Sequence, residues 1–218
     1  ASDVYKRQVI DPLLTIPVIV FAVIAILSKK KSISYLGIFY IFVYLGFGFI
    51  QEDRAEAVGK SIALMRGHES NRLTAKPSLG NLFLWKTIYE DKGFYYVDAV
   101  RLFQEKEYCE GTKIRKFNNL TDFTNLDANS QQYLDIGRFD WFSQGYLGIS
   151  QSKNVITDVR YSAVPNEVDG LWGIKVEPSK KSSEHIEWVV NRTDYERKWK
   201  RFRSLLSGEG CNKIGEQS

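Results

Sequence analysis

Histidine and cysteine are scarce in this sequence, with two of each in 218 residues. That scarcity excludes a zinc finger, a cysteine-rich scaffold and any histidine-dense metal site built from this chain alone. No nucleophile elbow, P-loop, dinucleotide fingerprint or HExxH occurs. With so few histidines, no Ser/His/Asp order can be argued. An excess of one charge is also missing. Thirty basic residues face 26 acidic ones, a net +4. Residues 192–203 hold six basic and two acidic residues, so that stretch accounts for the whole excess. A general basic surface, and with it a nucleic-acid partner, is not indicated. Internal repeats and low-complexity tracts are lacking too.

What is present is divided. Charged residues make up 26% and apolar residues 44%, which is not the composition of a disordered chain. The mean hydropathy of −0.28 averages an apolar segment, 13–50, with a polar remainder. Residues 1–8 are charged, lack a pattern and run straight into the apolar segment. They read as foreign or disordered, and the chain reads as an N-terminally truncated fragment.

Residues 13–27 carry no charge. A helix over 12–28 spans roughly 26 Å, against about 30 Å of hydrocarbon. Residues 33–50 are also uncharged and span roughly 27 Å. Between them lie Ser28, Lys29, Lys30, Lys31 and Ser32. The pattern predicts a two-helix transmembrane hairpin with a tight cationic turn. A signal peptide fits poorly, because no small-residue cleavage site follows and a second span begins at once. Two buried core helices are the other alternative. By the positive-inside rule the Lys29–Lys31 loop is cytoplasmic, and everything after residue 50 is extracytoplasmic. Asp11 before Pro12 has the form of a helix start, N-cap followed by N1. It is equally a carboxylate at the membrane boundary.

Residues 51–73 predict an amphipathic helix, with Ala55, Val58, Ile62 and Met65 at helical spacing and Gly67-His68 near its end. His68, among charged neighbours, reads as solvated. A turn is predicted at 76–81. The period then changes to two. Strands are predicted at 82–89, 94–103, 113–117, 154–161, 171–176 and 185–190, with a four-residue loop at 90–93. Residues 129–149 read as helical or irregular. Thr193 to Glu196 resembles a capping box for a basic helix over 194–206, closed by Gly208. Its charged face is either solvated or in contact with anionic lipid headgroups. The fold class is therefore α+β: membrane hairpin, amphipathic helix, and an antiparallel domain over 74–206 with a terminal helix. Residues 207–218 read as a disordered tail. Cys109 and Cys211 pair only outside a reducing compartment. Placing Cys211 in a tail favours free thiols. Asp158 beside Arg160 reads as a sheet ion pair, the alternative being part of a polar site.

The order of several short segments resembles one family. They are 9–17 (Val-Ile-Asp-Pro-Leu-Leu-Thr-Ile-Pro), Arg54, 75–81, Leu84-Trp85-Lys86, 139–146, 158–161 and Leu171-Trp172-Gly173. The chain from residue 9 onward resembles the YdjM-like family, LexA-regulated metal-dependent hydrolases of the bacterial inner membrane. The resemblance implies a divalent metal. It also places the metal-holding histidines, including a Thr-His-Ser box, on further N-terminal helices that have no counterpart here. The metal is thus not bindable by these residues alone. Asp11 carries over as a metal ligand or orienter, and Arg54 as an anion contact. Asn81 and Trp85 carry over as substrate-binding or packing residues, a sheet-core aromatic being the bland reading of Trp85.

Two functions follow as expectations. One is a metal-dependent hydrolase acting at the membrane surface, on lipid or phosphate esters. The other is a non-catalytic, membrane-anchored binding or structural module, which an exposed apolar patch or open sheet edge would favour. In either case the lipid bilayer is a partner.

Overall fold

The computed structural model describes residues 11–103, 105–150, 154–191 and 193–214. Its first element is helix α1, Pro12–Ser28. Asp11 caps it, accepting from the Leu13 amide, and Pro12 occupies the first turn. Lys29, in the left-handed region, ends α1, and after Lys30 helix α2 runs from Lys31 to Met65. The two helices pack as an antiparallel pair. Tyr40 Oη donates to the Leu13 carbonyl, and the Phe21 and Tyr40 rings lie 6.1 Å apart.

The two apolar helices form an antiparallel pair, but among the described residues only α2 is long and apolar enough to cross a membrane. Helix α1, at 17 residues, falls short of that length. The apolar window of α2 is 11% buried and no residue of α1 is buried, so neither has the surroundings of a core helix.

The predicted amphipathic helix is the continuation of α2, which is about 52 Å long as a single 35-residue element. It ends at Met65 rather than at residue 73. Gly67 takes a positive φ of 66°, and Arg66 turns its side chain towards the sheet. Strand β1, Leu73–Pro77, follows where helix and turn were expected. Its partner is the next strand, with Leu73 opposite Tyr89. Tertiary pairing overrides local propensity there.

Among the described residues the sheet has ten strands and every pairing is antiparallel. After β1 come β2 (Leu84–Asp91), β3 (Phe94–Leu102), β4 (Lys106–Cys109) and β5 (Lys113–Lys116). Helix α3, Gln131–Ser143, precedes β6 (Leu147–Ser150), β7 (Val155–Asp158), β8 (Trp172–Lys175) and β9 (Glu187–Val190). Helix α4, Tyr195–Ser207, and strand β10, Asn212–Lys213, are the last elements among the described residues. The order is β1-β2-β3-β5-β6-β7-β8-β9, with β4 on β3 and β10 on β4. The β2–β3 loop has two residues, not four. Lys92 and Gly93 both take positive φ, as the tight hairpin turn requires.

Three helices cover this sheet. The end of α2 buries Ala55, Val58 and Ile62 against Trp85, Val100 and Leu102. Gly59 permits the approach, since a methyl group there would come within 3.1 Å of Leu73 and 3.2 Å of Thr87. On the opposite face, Leu84 and Ala99 meet Phe202 and Leu205 of α4. Helix α3 buries Ile136 and Phe139 against Leu147, Ile149 and Ile156.

Three further expectations are corrected. The capping box does not form: Asp194 is left-handed with no side-chain cap bond, and Thr193 Oγ1 donates to Asn191 Oδ1. The tail is ordered as far as Ile214, and the remaining residues of the predicted tail lie outside the described ones. Gly208 ends α4 and a short turn returns the chain to β4, where Asn212 pairs with Tyr108. That return places Cys211 on Cys109, and the two form a disulfide rather than free thiols.

Candidate functional site

Segments far apart in sequence meet where the helix pair joins the sheet. Asp11 Oδ1 accepts from the Leu13 amide at 3.0 Å, and Oδ2 accepts from Tyr44 Oη. Pro12 abuts the turn before β2, since a methyl group on Gly80 would lie 3.7 Å from its ring. In that turn, Asn81 Oδ1 accepts from the amides of Phe83 and Leu84, at 3.0 and 2.7 Å. Asn81 Nδ2 donates to the Leu79 carbonyl. Trp85 is fully buried, and its indole N–H donates to the Leu82 carbonyl at 2.9 Å. The same carbonyl accepts from Gln51 Nε2 of α2 at 3.0 Å. Arg54 donates to Gln51 Oε1 at 2.6 Å. Asp11 thus ties α1 to α2 through Tyr44, and Gln51 ties α2 to the turn before β2, while Arg54 bonds within α2 and Asn81 within that turn.

A divalent ion needs several converging ligands. The described residues contain no group of three or more His, Cys, Asp and Glu side chains able to hold one. Asp11 offers a single carboxylate, engaged by the α1 backbone and Tyr44. These residues alone do not fit a metal, and no chemical step is derived through one.

A second constellation lies on the face of β2 opposite α2. Lys86 is 3% exposed in mid-strand. Its Nζ donates to Ser162 Oγ at 2.9 Å and to the Glu167 carbonyl at 2.8 Å. Burial lowers its pKa to about 7, although the charges of Asp158, Glu167 and Asp169 pull the other way. The Asp158 carboxylate, wholly buried, is gripped by Arg160 through Nε at 3.0 Å and Nη2 at 2.7 Å. Arg160 also donates to the Phe142 carbonyl and to Gln144 Oε1. Burial lowers the affinity of Arg160 for its proton, but the Asp158 bonds and charge outweigh it, and the net shift is upward. Tyr161 packs on Trp172, with ring centroids 5.4 Å apart. Leu84-Trp85-Lys86, 158–161 and Leu171-Trp172-Gly173 therefore meet in space. The pairing of Asp158 with Arg160 is as read from the sequence. What the sequence reading missed is Lys86 and the burial of the whole group. Lysine at an inward position of an otherwise apolar strand is the signal that would have found it.

The chemistry open to this group is proton exchange on a lysine poised near neutral pH. Ser162 Oγ–H donates to the Val164 carbonyl at 2.6 Å, so the hydroxyl proton points away from the amine. In this geometry Lys86 joins the 162–167 loop to the sheet.

A third cluster lies beyond the end of α2. Arg66 grips Asp98 through both terminal nitrogens at 2.8 Å. It also donates to Tyr89 Oη at 3.0 Å. His68 is half-buried rather than fully solvated: Nδ1 lies 2.9 Å from Tyr89 Oη, and its ring packs 4.5 Å from that of Tyr96.

Compared with family models, with curated proteins and with solved structures, the chain matches none.

Proposed function

We propose that the chain is the membrane anchor and outer domain of a membrane-bound hydrolase acting at the membrane surface on lipid or phosphate esters. The observation that carries this reading is the junction at Asp11. Residues 11–17, 75–81 and 84–86, on which the family resemblance rests, meet beside the apolar helix pair, and Arg54 of α2 is bonded to Gln51, which reaches the same turn. Asp11 is the one carboxylate there that the resemblance assigns to a divalent-metal site. The other ligands are those it places on further helices. Arg54 is the anion contact, while Asn81 and Trp85 shape the junction.

Both apolar helices cross the bilayer in this reading, with Lys29–Lys31 cytoplasmic. The Cys109–Cys211 disulfide supports an extracytoplasmic outer domain, because such bonds persist outside the reducing cytoplasm. Anionic headgroups are a further partner at α4. Its last turn lies at the membrane-facing end of the sheet, where Arg101 donates to the Leu206 carbonyl. Lys200 and Arg203 are exposed on it.

The test is hydrolysis of phospholipid and phosphate-ester substrates by the full-length protein in membranes. Asp11→Ala should abolish turnover and lower bound metal. Unchanged turnover with unchanged metal contradicts the reading. A non-catalytic binding module is the second reading. It is favoured by the structural engagement of Asp11, Arg54, Asn81 and Trp85, and it requires no turnover in either protein.

A further inference from the structure

The flank of α3 and the strand beside it carry aromatic side chains that a soluble surface seldom leaves open. Trp141 is 83% exposed and Trp188 61%, and Phe142 and Leu134 are exposed as well. Phe139 meets Trp188 edge to face, with centroids 5.6 Å apart. Between α3 and β9 lies a groove of about 460 Å³ with Phe139, Phe142, Ile186 and Trp188 on its walls. A neighbouring hollow of about 500 Å³ is lined by Leu134, Trp141 and Phe142. Arg138 lines both.

The polar side of the groove is organised around Asp135. Its carboxylate accepts from Gln131 Nε2 and Arg138 Nη1 at 3.0 Å each, and from His185 Nδ1 at 2.7 Å. Burial alone would raise its pKa, but the bonds from Gln131 and His185 outweigh it and hold the carboxyl below its ordinary value. Asp135 therefore stays ionised and fixes the His185 ring as a wall of the groove. Arg138 spends one nitrogen on Asp135 and keeps the rest of its guanidinium fork, on a side chain 70% exposed, for an incoming anion.

The strand forming the other wall is an open edge. The sheet order ends at β9, which among the described residues pairs with β8 alone. In an antiparallel ladder, alternate residues turn their N–H and C=O groups to the unpaired side. An apolar groove bounded by a helix, an open strand edge and a guanidinium with donors left over from Asp135 suits an extended chain ending in a carboxylate.

Lipid is the alternative cover, and the topology argues against it. Residues 142–145 close α3 against the sheet end where α2 stops: Arg72 Nη2 donates to the Gln144 carbonyl, and Tyr95 Oη to that of Gly145. From Gln51, at the other end, α2 rises roughly 21 Å to Met65. Trp141 and Phe142 thus stand well away from the level at which α2 leaves its apolar stretch, an argument that rests on the anchor reading above.

We propose that the groove between α3 and β9 binds the C-terminal segment of another polypeptide. That segment adds as a strand to β9. Its last apolar side chain enters the hollow between Phe139, Phe142 and Trp188, and its terminal carboxylate accepts from Arg138.

The test is selection of random heptapeptides with free C-termini against the full chain in lipid nanodiscs, with amide hydrogen exchange read on residues 187–190. Expected are peptides with an apolar last residue that protect the β9 amides. Their affinity should fall about tenfold or more with Arg138→Gln, with Trp188→Ser, or when the peptide is amidated, each removing at least one anchoring contact. Both variants alter exposed side chains, so the fold is retained. Equal enrichment on the variants or on empty nanodiscs overturns the proposal. So does β9 protection without peptide that grows with protein concentration, which would make a second copy the occupant.

Discussion

Lys86 gives the most quantitative handle on the sheet domain. Its amine titrates near 7 in the fold and near 10.5 when unfolded, because burial disfavours the charge. Below pH 7 both states hold the proton, and this group gives stability no pH dependence. Between pH 7 and 10.5 the unfolded chain holds one proton more than the folded one, so stability rises with pH in that window. Three and a half units at 1.36 kcal/mol each make about 5 kcal/mol across the whole interval. Tyr89, Tyr95 and Tyr146 limit the usable range. Burial pushes their hydroxyls above the ordinary value, which costs stability once the unfolded tyrosines ionise near pH 10. Between pH 7 and 9 the Lys86 contribution is roughly 2 kcal/mol. Lys86→Met removes that slope while filling the same space. It also deprives Ser162 Oγ and the Glu167 carbonyl of a donor, so its stability at high pH should fall below that of the parent. The assay is guanidinium unfolding of the full chain in detergent, followed by near-ultraviolet circular dichroism from pH 6 to 9. Equal slopes in parent and variant refute the reasoning. So does a Lys86 amine that NMR shows still protonated at pH 9.

Two other outcomes follow. Replacing Cys109 and Cys211 by serine opens a loop with a sequence separation of 102 residues. By loop entropy that costs about 5 kcal/mol, read as a lower unfolding midpoint, and the same shift should appear on reduction of the parent. Trp85→Ala should cost about 3–5 kcal/mol, as expected for a buried aromatic packed on α2, whereas Trp85→Phe should cost about 1 kcal/mol for the lost bond to the Leu82 carbonyl. A substrate role for Trp85 would instead leave stability unchanged and alter binding.

The parts read correctly from the sequence are those governed by local pattern. Residues 12–28 are a helix because Asp11 and Pro12 start it and no charged residue interrupts it. Strands β2, β3, β5, β7, β8 and β9 show in the alternation of aromatic and β-branched residues. What escaped depends on long-range partners. Strand β1 exists because Leu73 to Pro77 find β2, and its own composition resembles a turn. Strands β4 and β6 are four residues long and sit beside loops. The disulfide escaped because only the return of the chain after Gly208 brings Cys211 to Cys109. At the candidate sites, residue types were visible but surroundings were not. Asp11 and Trp85 have the predicted cap and core roles, while Lys86, within Leu84-Trp85-Lys86, is a buried amine bonded to Ser162 and the Glu167 carbonyl. The α3–β9 groove combines residues about 50 positions apart, Asp135 and His185, that no local pattern links.

The central claim is that the apolar hairpin crosses the membrane and leaves the disulfide-bonded domain outside. Its most direct test is cysteine accessibility of the full-length protein in intact cells, with the native pair Cys109 and Cys211 oxidised and silent. Ser32→Cys, in the lysine turn, should react with an impermeant maleimide only after the membrane is opened, whereas the exposed Lys181→Cys should react in intact cells. Labelling of Ser32→Cys from outside, or protection of Lys181→Cys until lysis, would contradict the account.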